Sequence, residues 1–141
     1  MAEYSYIDIQ TVGIGESVLF ENGSRVCRRG YISHRDDAGL FKLQGGVRGC
    51  KAVYEVSFGA NIAVPTGSTV GEISIALTQD GEVLQNAYAR ETPTVVESYS
   101  NVFVATTVES LCGCCIDISV RNTSGIPINV QNANIIIKRI A

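Results

Sequence analysis

The C-terminal third, Asn101 to Ala141, leaves few folds open. Ile116, Ile118 and Val120 alternate with Asp117, Ser119 and Arg121, a period of two. That period belongs to a β-strand with one buried face. The stretch reads as three strands, Asn101–Val108, Cys114–Arg121 and Ile128–Ile140, filling the middle and one edge of a sandwich. Cys112-Gly113-Cys114-Cys115 is expected in a turn joining the first two, and Asn122–Gly125 in the turn before the third.

Upstream, strands are predicted over Tyr4–Val12, Ser17–Phe20, Arg25–Ser33, Leu40–Leu43, Lys51–Ala60, Glu72–Gln79, Glu82–Ala89 and Val95–Tyr99. In Lys51–Ala60, the residues Ala52, Tyr54, Val56, Phe58 and Ala60 share one face. Asp80-Gly81 is a two-residue hairpin signal between two of these strands. No segment reads better as helix than as strand. The expected core includes Tyr54, Val56, Phe58, Ile75, Val104, Ile118 and Ile137.

At 141 residues the chain is expected to form one domain that buries roughly two thirds of its unfolded surface. Residues 1–16 form its first strand or an arm. Charged residues make up 18% of the chain, below the ~25% usual for soluble domains, so Ser, Thr, Asn and Gln must supply the polar surface. Net charge is −3 and the basic residues form no stripe, which argues against nucleic-acid binding. No apolar run approaches the ~18 residues that span a bilayer. The first residues, Met-Ala-Glu-Tyr-Ser-Tyr-Ile-Asp, carry acids and no apolar stretch, unlike a secretory leader.

The glycine pair Gly13-x-Gly15 has Val18 where a dinucleotide loop needs its third glycine, so it reads as a turn. The single histidine, His34, reads as a solvated loop residue. Its alternative use is to activate a cysteine thiol. Asp36 and Asp37 lack the ordered spacing of a calcium loop and read as a surface turn. Asn22-Gly-Ser24 and Asn122-Thr-Ser124 match the glycosylation pattern but read as turns. No residue is assigned as catalytic, and no cofactor or metal is assigned.

Five cysteines remain: Cys27, Cys50, Cys112, Cys114 and Cys115. Three readings stay open. They are disulfides within or between chains, buried thiols acting as small hydrophobes, and a thiophilic metal site. Strand alternation puts Cys114 with Ile116 on the buried side and Cys115 with Asp117 on the exposed or interfacial side. Gly113 is expected to let the chain reverse tightly just before them.

The succession of a glycine turn and long strand (Gly49–Phe58), a strand, Asp-Gly turn and return (Ile73–Leu84), paired strands ending in Asn (Val104–Asn122) and a closing Asn132-Ala-Asn-Ile-Ile-Ile-Lys-Arg-Ile140 resembles a known family. It is similar to the jelly roll of the tumour-necrosis-factor and complement-head superfamily. The nearest members would be the C-terminal domains of bacterial collagen-like spore-surface glycoproteins and related phage fibre or capsid-associated proteins. The resemblance implies an all-β jelly-roll sandwich of about ten strands that forms a homotrimer and is not an enzyme. Partners would be capsid or fibre proteins, or a cell-surface receptor. A virion or spore-surface protein made in the cytoplasm and released by lysis reconciles disulfides with the lack of a leader. Two alternatives are a receptor- or glycan-binding head that uses loops at one end, and a thiol or metal function of the Cys112–Cys115 cluster.

Overall fold

The computed structural model describes residues 2–22, 31–45, 51–111 and 115–140. Among these are eleven strands: β1 Ala2–Tyr6, β2 Gln10–Val12, β3 Glu21–Asn22, β4 Ile32–His34, β5 Phe41–Gln44, β6 Ala52–Ala63, β7 Ile73–Gln79, β8 Glu82–Glu91, β9 Ser100–Ser110, β10 Cys115–Asn122 and β11 Ile128–Arg139. They form two antiparallel sheets. The first runs β3-β1-β11-β6-β9, with β2 also on β11, and the second runs β4-β5-β10-β7-β8.

The inner faces meet in one apolar core. Tyr54, Val56, Phe58, Ile75, Ile118 and Ile137 are fully enclosed, and Val104 is 7% exposed. Edge-to-face contacts link Phe20 with Phe41 at 5.4 Å and Phe20 with Phe58 at 6.0 Å, joining the two sheets through the core. The Tyr54 hydroxyl crosses between sheets to donate to the Gln44 carbonyl at 2.6 Å, so its buried polar end is satisfied.

Asp80-Gly81 closes the β7–β8 hairpin with φ of 52° and 84°. Two successive left-handed residues give the turn whose twist matches that of its strands. Gly39 serves a different need. A β-carbon there would lie 2.8 Å from the Val18 carbonyl, so only glycine lets the Ser17–Val18 backbone run so close.

Several expectations are corrected. The predicted Tyr4–Val12 strand is two strands, because residues 7–9 bulge opposite an irregularity in β11 between Gln131 and Asn134. Asn132 there has φ 54° and donates its N–H to the Ile7 carbonyl at 3.1 Å. Ser17–Phe20 is no strand. Its only bridges are Ser17–Arg121 and Phe20–Ala38, so it runs against the second sheet between β2 and β3, which both belong to the first. Val95–Tyr99 is a turn. Of the predicted Arg25–Ser33 strand, residues 25–30 lie outside the described set, and the described strand is Ile32–His34. β7 does not alternate: Ile73 to Thr78 are all buried. Its outward residues Ser74, Ala76 and Thr78 are small. The larger residues Tyr88 and Arg121 flank Ala76 in register.

Candidate functional site

Of the five cysteines, only Cys115 lies among the described residues, and Cys27, Cys50, Cys112 and Cys114 fall outside them. Cys115 opens β10 and is half-buried. Ile116 and Ile118 point inward, and Asp117 shares the outer side with Cys115. The chain before it does not make the expected hairpin. β9 pairs with β6 in the first sheet, whereas β10 pairs with β5 and β7 in the second. The segment holding Cys112, Gly113 and Cys114 therefore connects two sheets, a relation that strand periodicity cannot express.

Cys115 borders an open cleft of about 520 Å³ whose walls include Asp80, Thr107, Glu109 and Leu111. The Asp80 amide donates to the Asp117 carbonyl at 2.8 Å. The Asp117 amide donates back to Asp80 Oδ1 at 2.9 Å. This reciprocal pair fixes the β7–β8 turn at the cleft. His34 does not line the cleft, so the structure does not bring it to Cys115. Among the described residues, no three His, Cys, Asp or Glu side chains gather in a metal-binding group.

His34 is not a solvated loop residue. It ends β4, and its ring stacks on Phe41 at 4.3 Å and 15° and lies 4.8 Å from the Tyr4 ring. Its Nδ1 is 2.6 Å from Asn22 Oδ1 and its Nε2 is 2.7 Å from the Ala38 carbonyl. Burial pushes its pKa below the ordinary imidazole range, although the Ala38 carbonyl and the charges of Asp36 and Asp37 pull the other way. The Asp36 carboxylate accepts the Asn22 amide at 2.8 Å, and the Asp37 backbone is left-handed at φ 60°, so the pair belongs to a turn.

Asn122 is 1% exposed. Its Nδ2 donates to the carbonyls of Val12 at 3.0 Å, Gly13 at 3.2 Å and Ile126 at 2.9 Å. Its Oδ1 accepts the Ser124 amide at 2.9 Å. A side chain enclosed in this way offers no nitrogen for glycosylation and works as a pin between the N-terminal strands and the β10–β11 turn.

The outer face of the first sheet carries a distinct surface. In register across four strands lie Phe103, Gly59, Asn134 and Ser5, and in the next row Ala105, Ser57, Ile136 and Glu3. On the other side, Asn101, Asn61 and Gln131 line up, and Asn101 Nδ2 donates to Asn61 Oδ1 at 3.2 Å. In these three rows Glu3 is the sole charged side chain, and it accepts a hydrogen bond from Asn134 at 3.2 Å. Phe103 is 65% exposed on the edge strand β9, at the end of its row. The alternation Asn101, Phe103, Ala105, Thr107 was the available signal. It marks an outward row but does not tell which rows of neighbouring strands adjoin it.

At one end of the sandwich, Glu97 holds φ 58°. Its Oε1 accepts from the Thr66 amide at 3.0 Å, the Thr66 hydroxyl at 3.2 Å and Asn129 Nδ2 at 3.3 Å. The Tyr99 hydroxyl reaches Oε2 at 3.4 Å. Burial raises the Tyr99 pKa and the Glu97 charge adds to this, against the hydrogen bond with Asn129. A left-handed non-glycine residue persists where surrounding contacts over-determine it, and this carboxylate supplies four. The turn carries Val95 and Val96 on the surface, 57% and 37% exposed.

No family model matches the sequence, and no curated protein matches it. Solved structures do match. The Eiger TNF of S. frugiperda superposes with a TM-score of 0.67 at 12% identity, over 99% of this chain and 92% of that one. The globular domain of zebrafish complement 1qA gives 0.64 at 12% identity, over 100% and 98%. The fold is a TNF/C1q-like jelly roll. Vertex protein P5 of PRD1 matches at 0.53 and 10% identity, over 99% and 95%. Within this jelly roll, the exposed face of Phe103 belongs to the sheet β3-β1-β11-β6-β9, and the cleft at Cys115 lies between the end of β9 in that sheet and the start of β10 in the other.

Proposed function

We propose that the chain is a non-enzymatic head or decoration domain that assembles as a homotrimer through the outer face of its first sheet. The observation that carries this reading is the composition of that face. An exposed aromatic sits among Gly59, Ala105, Ser57 and amides, and the charged residues Glu55 and Lys138 stand in register in the row beyond Ala105. Interface cores are depleted in charge and enriched in aromatics. A rotational assembly of three copies covers such a face in every subunit and protects the long edge strand β9. The placement is on a virion, where a vertex protein of the same fold supports it. A spore surface of the collagen-like glycoprotein kind is the other placement. Either is reached from the cytoplasm by lysis.

A receptor- or glycan-binding role has its own support in the turn at Val95 and Val96, which Glu97 holds in a fixed conformation at one end of the sandwich.

Light scattering at micromolar concentration tests the assembly. It is expected to report about three times the 15.1 kDa chain mass, and Phe103→Asp to reduce this to a single chain mass. A monomeric parent protein overturns the reading.

A further inference from the structure

We propose that the cleft between the end of β9 and the start of β10 binds a small organic cation, an alkylammonium whose charge sits at Asp80 and whose chain enters between the sheets. The cleft holds about 520 Å³, inside the roughly 300–1,000 Å³ range of small-molecule sites. Val108 and Ile116, 4% and 7% exposed, form its inner wall, and Leu111 stands exposed at its rim. The rim also carries the exposed carboxylates of Asp80 and Glu109, and among the described residues no basic side chain lines the cleft. An apolar wall under a negative rim matches a cation with an aliphatic body.

The two rim acids are not equivalent. Glu109 Oε1 lies 3.3 Å from Lys51 Nζ, so its charge is already paired. Asp80 has no ion pair among the described residues. Its amide and its Oδ1 are bonded to the Asp117 backbone at 2.8 and 2.9 Å, which fixes the carboxylate at its left-handed turn without neutralising it. A charge held in place in advance spares a ligand the cost of ordering it. Beside it, Asp117 keeps a buried Oδ1 with no hydrogen-bond partner among the described residues. Lys42 stands opposite Asp117 in register, and Arg121 donates to the Gly81 carbonyl at 3.0 Å, yet neither makes an ion pair with Asp80 or Asp117. The corner between the β7–β8 turn and β10 therefore keeps an unpaired negative charge beside an apolar opening, and a bound alkylammonium satisfies both.

Nuclear magnetic resonance titration of the full chain with n-butylammonium chloride at fixed ionic strength tests this. Saturable shifts are expected at the amides of Asp80, Leu111 and Cys115. n-Butanol, with the chain and no charge, and ammonium chloride, with the charge and no chain, are each expected to bind more weakly by about tenfold or more. Asp80→Asn keeps an Oδ1 to accept the Asp117 amide, and Asn-Gly suits the same turn, so the fold is expected to persist while affinity falls by about tenfold. Leu111→Ala truncates an exposed side chain and is expected to weaken butylammonium but not ammonium. Absence of saturable shifts overturns the proposal, as do shifts of equal size at exposed acids elsewhere, such as Glu55 and Glu72. Butanol binding as tightly as butylammonium, or full affinity in a folded Asp80→Asn, overturns it too. The three probes on the parent chain decide the matter whether or not the variants fold.

Discussion

Phe103 and Gly59 face each other in register on β9 and β6, and a β-carbon built on Gly59 would sit 3.6 Å from Phe103 Cδ2. That distance is ordinary van der Waals contact. Gly59→Ala is therefore expected to fold normally, with stability within about 1 kcal/mol of the parent by urea denaturation. Phe103→Ala is expected to cost little in the isolated subunit, because the ring is 65% exposed, yet to weaken assembly in sedimentation experiments.

Phe58 presents the opposite case. It is fully enclosed and meets Phe20 edge-on at 6.0 Å. Phe58→Ala is expected to destabilise the fold by about 3–5 kcal/mol, from lost transfer energy and the cavity left behind. Chemical denaturation measures this, and a loss below about 1 kcal/mol would contradict the core described above.

Asn122 satisfies three carbonyls and one amide at a buried crossing of chain segments. Removing it strands those groups away from water. Asn122→Ala is expected to cost about 1–3 kcal/mol per group left unsatisfied, less whatever water regains. When the protein is made in a host that glycosylates, mass spectrometry is expected to find Asn122 unmodified.

The lowered pKa of His34 also fixes a pH dependence of stability. The unfolded chain binds a proton at about pH 6.5 and the folded chain only at lower pH. The neutral ring's contribution is thus complete above that value and is lost as pH falls toward the folded midpoint. Thermal melts from pH 7 to pH 5 are expected to show a decline that His34→Phe reduces.

Cys115 is half-exposed at the start of β10. Under reducing conditions, a small thiol reagent is expected to reach it in the native protein, and Cys115→Ser to reduce the labelled thiols by one. Protection of Cys115 in the isolated subunit would contradict its outward placement.

Alternation along the chain determined most of the strands and the inward residues. A buried face requires apolar side chains at every second position, as Tyr54, Val56 and Phe58 supply. Asp80-Gly81 determined its hairpin for a local reason, since two left-handed residues in succession favour Asp and Gly. Tertiary structure decided which strands became neighbours. β9 and β10 adjoin in sequence and read as a hairpin, yet each pairs with other strands, because pairing depends on long-range backbone hydrogen bonds and core fit. The same limit hid the sites. His34 looked solvated because its immediate neighbours are Arg35, Asp36 and Asp37, whereas Tyr4, Asn22 and Phe41 come from other strands. Glu97 holds a left-handed turn only because Thr66 and Asn129 converge on its carboxylate. The face around Phe103 exists only once four separate strands set their outward rows side by side.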